Sequence, residues 1–160
     1  MIYIGIDPGK TGAMAILDGE GIIVEILEYS KFTLNEFAEA LKVIDDPHCF
    51  TMIEEVKAMP GNGGTSMFNF GKSYGEMIGI MCGAFQPFEL VLPTKWQKEF
   101  GLIRKKTRGG NPESSTDKKN RHKVVGSRLF PKTKMTHAIT DALLIAEYCR
   151  RQRTGTLTKI

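Results

Sequence analysis

Residues 2–9 read Ile-Tyr-Ile-Gly-Ile-Asp-Pro-Gly. The apolar, isoleucine-rich start predicts a short buried strand, and Asp7-Pro8-Gly9 predicts an abrupt turn at its end. The strand therefore delivers a carboxylate, Asp7, to one edge of a sheet. In open α/β sheets, functional side chains gather at that edge.

The segments that follow residue 9 predict two further strands. Residues 13–17 and 21–27 are apolar and rich in β-branched side chains, and Asp18-Gly19 between them is a strong hairpin signal. With the first strand they form a three-stranded antiparallel meander.

Helices and strands alternate after the meander. Thr33 and Glu36 match a capping box at the start of a helix to about residue 44, and residues 50–53 form a strand that ends at Glu54 and Glu55. Ser66 is a plausible cap for a helix over 67–85. A fifth strand is predicted at 89–92, and further helices at 93–100, 124–130 and 138–149.

These elements predict one α/β domain over residues 1–160, with a mobile basic loop at about 101–116. The start of the chain lacks the pattern of a signal peptide, and no apolar run approaches the roughly 20 residues of a membrane span. We therefore expect a cytoplasmic protein without a membrane segment. The scattered Cys49, Cys82 and Cys149 suggest neither a disulfide framework nor a zinc site.

Charge is distributed unevenly along the chain. The net charge is +4, but residues 104–134 hold eleven Lys and Arg against two acids, whereas the rest holds eleven bases and sixteen acids. A basic run is often only a solvated surface. The alternative is that it neutralises a nucleic-acid backbone, next to an acidic part of the chain that loads a metal.

Three carboxylates occupy distinctive places: Asp7 and Glu54 end strands, and Asp141 lies inside an apolar helix. If the meander extends from one edge of the first strand, the strand that ends at Glu54 becomes its other neighbour. Converging acids need a counter-charge, and a hard divalent cation with oxygen ligands supplies it. Alternatively, each acid alone caps a helix or pairs with a lysine.

His137 lies four residues before Asp141, on the same face of the predicted helix. Such a histidine binds a metal, positions the attacking water or accepts its proton. The competing interpretation is a solvated histidine at a helix start. Glu55 follows Glu54 and points to the opposite face of its strand, so it is a secondary candidate.

Glycines recur at every fourth position of the helix over 67–85, at Gly71, Gly75, Gly79 and Gly83. This spacing makes a smooth groove that allows another helix to approach closely. The partner helix belongs either to the same chain or to a second copy.

Short motifs follow one another along the chain: Gly5-Ile6-Asp7-Pro8-Gly9, Ile53-Glu54, Met59-Pro60-Gly61, Ser66-Met67-Phe68-Asn69-Phe70-Gly71, Pro93-x-x-Trp96 and Asp141-Ala142-Leu143-Leu144-Ile145-Ala146. In this order they resemble the RuvC family of Holliday-junction resolvases, above all the RuvC-like proteins of bacteriophages and prophages. The resemblance covers nearly the whole chain. It implies a ribonuclease H-like fold, a homodimer, two Mg²⁺ or Mn²⁺ ions per active site and paired incisions across four-way DNA junctions.

By this resemblance, Asp7 and Glu54 match the first two family carboxylates and Asp141 matches the last. The family generally has another acid one turn before the last, where this chain offers His137. The implied catalytic and metal-binding set is therefore Asp7, Glu54, His137 and Asp141. The departure at His137 leaves the fourth ligand open.

The basic segment supplies the predicted DNA contacts. The residues predicted to neutralise phosphate are Lys105, Lys106, Arg108, Lys118, Lys119, Arg121 and Lys123. Met59, in the loop after Glu54, is a possible apolar wedge for the junction centre.

Two rival interpretations compete with a nuclease. Asp7-Pro8-Gly9-Lys10-Thr11-Gly12 also resembles the phosphate-binding strand of actin-like ATPases and sugar kinases, but those proteins need two such domains. The other rival is a junction- or branched-DNA-binding protein of the same fold with weak catalysis, which follows if His137 does not replace the usual acid.

Overall fold

The computed structural model describes residues 1–44, 48–57, 63–103 and 114–158. Strands and helices alternate along most of the chain. In chain order they are β1 (Ile2–Asp7), β2 (Ala13–Leu17), β3 (Ile23–Glu28), α1 (Leu34–Val43), β4 (Cys49–Glu54), α2 (Gly64–Gly83), β5 (Phe88–Val91), α3 (Pro93–Glu99), α4 (Ser115–Leu129) and α5 (His137–Thr154).

The strands form one five-stranded sheet in the order β3-β2-β1-β4-β5. β1 pairs antiparallel with β2 and parallel with β4, while β2–β3 is antiparallel and β4–β5 is parallel. The predicted mixed sheet, with a three-stranded meander and two parallel strands, is confirmed. Because β1 is central, its carboxyl end lies beside that of β4.

Each face of the sheet is covered by helices. Tyr3 packs in the core beneath α5, whose residues 142–149 are all buried. The next residue, Ile4, points to the other face and packs in the core formed with α1 and α2. This alternation follows from the two-residue period of a strand.

Helix α5 lies directly on β1 at Gly5. A Cβ atom at Gly5 would lie 2.2 Å from both the Ala142 carbonyl oxygen and the Ala146 amide nitrogen. Because glycine has no side chain, the backbone of α5 contacts the backbone of β1 directly. As a result Asp141, next to Ala142, is fixed over the central strand.

Two predicted boundaries need correction. Helix α2 begins after Gly63 without a side-chain cap, so the assignment of Ser66 as its cap is wrong. Helix α4 already begins at Ser115, capped by Ser114, whose hydroxyl accepts a hydrogen bond from the Asp117 amide. The predicted loop at 101–116 is therefore too long at its end, because the polar first half of α4 has no apolar period to mark it as a helix. Residues 104–113 lie outside the described residues.

Helix α2 presents its glycines outward. Among the described atoms, nothing lies within 4 Å of a Cβ built at any of Gly71, Gly75, Gly79 and Gly83. Phe68 and Phe85 near the two ends are 72% and 92% exposed. The part of the chain that is described therefore leaves this groove open. None of the helices in the described ranges, α2 included, combines the length and apolarity of a membrane span.

Candidate active site

Asp7 is held at the end of β1 by a glycine-dependent turn. Gly9 has φ +147°, a conformation that side chains disfavour, and its carbonyl accepts a 2.9 Å hydrogen bond from the Gly12 amide. A Cβ at Gly12 would lie 1.9 Å from the Asp7 carbonyl oxygen. The turn thus packs tightly against the backbone of Asp7 and fixes the backbone position from which the Asp7 side chain extends.

Glu54 lies beside Asp7. Ile6 pairs in parallel with Ile53, so the next residue of each strand is an acid. Both acids share the sheet face that carries Gly5 and α5, because side chains alternate along a strand. Their carboxyl groups are hydrogen-bonded to each other.

Asp141 on α5 is the third acid of the site, and its charge affects the pKa values of the other two. Desolvation raises the pKa of Asp7 well above its ordinary value, and the charges of Glu54 and Asp141 raise it further. Desolvation and the charge of Asp141 also raise the pKa of Glu54. The three acids predicted from strand ends and a helix therefore do converge.

The donor atoms of this cluster are of the type that a hard divalent cation prefers. Its donors are carboxylate oxygens, the ligands that Mg²⁺ and Mn²⁺ prefer. The side chains do not yet enclose an ion: no three His, Cys, Asp or Glu in the described ranges have an arrangement that could hold one.

Lysines on α4 approach the acids from the solvent side. The positive charge of Lys119 lowers the pKa of Asp7, and that of Lys118 lowers the pKa of Glu54. Both lysines are exposed in the first turns of α4. Two of the predicted DNA contacts thus lie at the carboxylate cluster.

The other predicted DNA contacts are less clearly placed. Lys123 is partly buried, and Arg121 donates a 2.7 Å hydrogen bond to the Leu102 carbonyl, so part of its guanidinium ties α4 to the segment after α3. Lys105, Lys106, Arg108 and Met59 lie outside the described residues.

His137 is the first residue of α5 and is exposed. The histidine that contacts Asp141 is instead His122 of α4, whose Nδ1 lies 2.7 Å from Asp141 Oδ1. Trp96 of α3 donates from Nε1 to Glu54 Oε1 at 3.3 Å. Sequence reasoning missed both contacts. Trp96 could have been singled out from the sequence, because it is the only tryptophan and lies in the Pro93-x-x-Trp96 motif. No sequence pattern pointed to His122.

A cavity of about 440 Å³ adjoins the cluster. Glu54 stands in its wall with Met67, Phe70 and Leu92, so the lining is mostly apolar. Glu55 also lines it and forms a 3.3 Å ion pair with Lys57. This pairing is consistent with a secondary role for Glu55.

Comparison with known proteins supports the fold and nothing finer. No protein-family model and no curated protein matches the sequence. Two solved structures of Thermus thermophilus RuvC match over 100% of both chains. The structure in complex with a Holliday junction substrate has a TM-score of 0.59 at 15% identity, and the other has 0.54 at 16%. The chain thus has the RuvC-like form of the ribonuclease H-like fold.

The raised pKa of Asp7 predicts how Asp7→Asn changes stability. An acid whose native pKa is raised binds more protons in the folded state, so its contribution to stability falls as pH rises from its ordinary pKa of about 3.9 to the raised one. We expect Asp7→Asn to raise the melting temperature of the metal-free protein at about pH 8, with a smaller gain at about pH 5. Each kcal/mol corresponds to roughly 2–4 °C.

Differential scanning calorimetry in the presence of a chelator measures this difference. The matched control is Glu39→Gln on the exposed surface of α1, which should leave the melting temperature within about 1 °C at both pH values. A lower melting temperature for Asp7→Asn at the higher pH would contradict the electrostatics.

Proposed function

We propose that this protein, acting as a single domain, is a divalent-metal-dependent endonuclease that cuts branched DNA, above all four-way junctions. The observation that carries the proposal is the convergence of Asp7, Glu54 and Asp141 at the end of the central strands. The fold supports it, because a RuvC of the same fold was solved with a Holliday junction substrate. The sequence resemblance to phage and prophage proteins favours a role in phage recombination in the cytoplasm.

In this mechanism Asp7, Glu54 and Asp141 bind Mg²⁺ or Mn²⁺. Bound metal, two ions by the family resemblance, would acidify the attacking water and stabilise the attacking and leaving oxygens of the phosphodiester. Asp7, whose pKa is raised by the charges of both other acids, is the proposed central ligand. His137, one turn before Asp141, is the proposed fourth ligand or proton acceptor.

Lys118 and Lys119 bring the DNA backbone to the cluster. Each acts electrostatically on one of the acids, so a phosphate that binds these lysines lies close to the carboxylates. We assign the same backbone-neutralising role to the other basic residues of 104–123. The apolar cavity beside Glu54 leaves room for a base that flanks the cut phosphate.

The enzyme acts as a homodimer in this proposal. A four-way junction has approximate twofold symmetry, and two symmetrical cuts call for two sites related by a twofold axis. The open glycine groove of α2 is the proposed interface, since the described part of the chain does not fill it.

Replacing any one of the three acids tests catalysis. In Mg²⁺ or Mn²⁺, we expect Asp7→Asn, Glu54→Gln and Asp141→Asn each to reduce cleavage of a synthetic four-way junction by at least about 100-fold, because a metal ligand is lost. Binding to the junction without metal should persist or strengthen, since fewer negative charges face the phosphates.

Cleavage is followed on denaturing gels and binding by mobility shift, with Glu39→Gln as the control expected to cut normally. Normal cleavage by all three variants would refute the site. Tight junction binding without cleavage in either metal would instead favour the non-catalytic binding protein.

Replacing Lys118 and Lys119 tests the DNA contact. The double variant Lys118→Ala/Lys119→Ala should bind junctions of all sequences more weakly, and the slope of log K against log[salt] should flatten by about 0.9 per lysine removed. The matched control, Lys31→Ala/Lys42→Ala, removes the same charge at exposed positions beside and on α1. Equal slopes for the two double variants would show that the α4 lysines are an ordinary solvated surface.

A charged residue in the α2 groove tests the dimer. We expect Gly79→Glu to shift sedimentation at micromolar concentration from dimer to monomer, because two buried carboxylates would face each other across the interface. Gly19→Glu, in the exposed β2–β3 turn, is the control and should remain dimeric. A wild-type protein that sediments as a monomer with and without junction DNA would contradict the proposal.

A further inference from the structure

Behind the carboxylates lies a buried pair of rings, His122 of α4 and Trp96 of α3. His122 is 3% exposed and Trp96 is fully buried. The two rings meet edge to face, with centroids 5.5 Å apart and planes at 77°. Each ring contacts a different acid of the site, so two of the three carboxylates rest on one packed unit.

The direction of both hydrogen bonds follows from the donors. His122 Nδ1 lies 2.7 Å from Asp141 Oδ1, and the tautomer with a proton on Nδ1 donates to that oxygen. The indole N–H of Trp96 only donates, and its acceptor is Glu54 Oε1 at 3.3 Å. Each of these two carboxylates therefore has one oxygen held by a ring N–H donor, and the Glu54 carboxyl is also hydrogen-bonded to that of Asp7.

The other ring nitrogen of His122, Nε2, also bears on the role of this residue. This nitrogen is buried and has no hydrogen-bond partner among the described residues. A buried polar atom without a partner disfavours folding, and an apolar ring of the same size would avoid that penalty. Packing alone therefore does not account for a histidine here, whereas its Nδ1 donor to Asp141 does.

His122 is not itself placed as a metal ligand. Its Nδ1 is engaged by Asp141, and its Nε2 is enclosed in the core beside Trp96. Its action on a bound ion must pass through Asp141. Lys118 and Lys119 lie one turn earlier on α4, so the helix that brings positive charge to the cluster also anchors one of its acids.

We propose that His122 and Trp96 are positioning residues that hold Asp141 and Glu54 in the orientations that bind the divalent cation. The inference rests on the proposed metal-dependent function and deepens it. Hydrogen-bonded partners of ligating carboxylates fix their geometry, and removing such a partner typically weakens metal binding by about 10- to 100-fold.

The test measures Mn²⁺ binding without DNA, by calorimetry or by the electron paramagnetic resonance of free Mn²⁺, with Asp7→Asn as the blank for other sites. His122→Phe keeps a ring but removes the donor, and should weaken Mn²⁺ binding by about 10- to 100-fold. His122→Asn places an amide N–H near the position of Nδ1 and should restore most of the affinity.

Thermal unfolding of the metal-free variants separates positioning from packing. His122→Phe removes the unpaired nitrogen and preserves the ring contact with Trp96, so it should be more stable than His122→Asn, which leaves a space in the core. The expected order of stability is thus opposite to the order of Mn²⁺ affinity. If affinity follows stability instead, His122 has only a structural role and the proposal is overturned.

Trp96→Phe tests the other half of the pair. It removes the donor to Glu54 and should also weaken Mn²⁺ binding, and the double variant Trp96→Phe/His122→Phe should lose less than the product of the two single losses, because the residues act as one unit. Tyr29→Phe is the matched control. It removes an aromatic donor to Glu76 away from the site and should leave Mn²⁺ binding unchanged.

Two failures are distinguishable. If the wild-type protein cuts four-way junctions but His122→Phe and Trp96→Phe bind Mn²⁺ as tightly as it does, the positioning role is wrong and the proposed function stands. If the wild-type protein neither binds Mn²⁺ above the Asp7→Asn blank nor cuts junctions, the proposed function fails and the positioning proposal falls with it.

Discussion

The approach of α5 to β1 at Gly5 is the contact on which the rest of the site depends. Backbone meets backbone there, since a Cβ would lie 2.2 Å from atoms of Ala142 and Ala146. A side chain at this position would push the helix away from the sheet. Asp141 would then leave Asp7 and Glu54, and the three-carboxylate cluster would lose one of its members.

That contact brings Asp141 to two strand-end acids whose pKa values burial raises. Burial raises the pKa of Asp7 and of Glu54, the charge of Asp141 raises both further, and the charge of Glu54 also raises that of Asp7. The exposed Lys118 and Lys119 partly offset this effect, because Lys119 lowers the pKa of Asp7 and Lys118 lowers that of Glu54. Under the proposed function, a divalent cation would bind inside the cluster, and the lysines would remain available for the negatively charged backbone of DNA.

Two features of the fold would suit an enzyme that cuts DNA junctions. The open groove of α2 lies on the sheet face opposite α5, so a second copy that binds there leaves the carboxylates uncovered. The buried pair of His122 and Trp96 contacts Asp141 and Glu54. Under the proposed function, the lysines and the metal-binding acids thus face the DNA substrate.

The sequence by itself determined the parts that depend on local pattern. Apolar runs ended by turn residues located β1 and β4 and their acids, and the capping box of Thr33 and Glu36 located the start of α1. The sequence predicted β4 as the other neighbour of β1 on the condition that the meander extends from one edge of β1, and the observed strand order meets that condition. These features can be predicted from the periodicity of apolar residues and from residues that are neighbours in the sequence.

Only the tertiary structure decided which side chains meet across helices. His122 and Asp141 are nineteen residues apart on different helices, and their contact depends on how α4 packs against α5. The sequence pattern favoured His137 instead, because it lies one turn from Asp141 on the same helix. The glycine groove of α2 likewise had two interpretations until the structure showed that the described chain leaves it open. Contacts of this kind depend on the relative rotation of packed helices, which no local pattern of residues specifies.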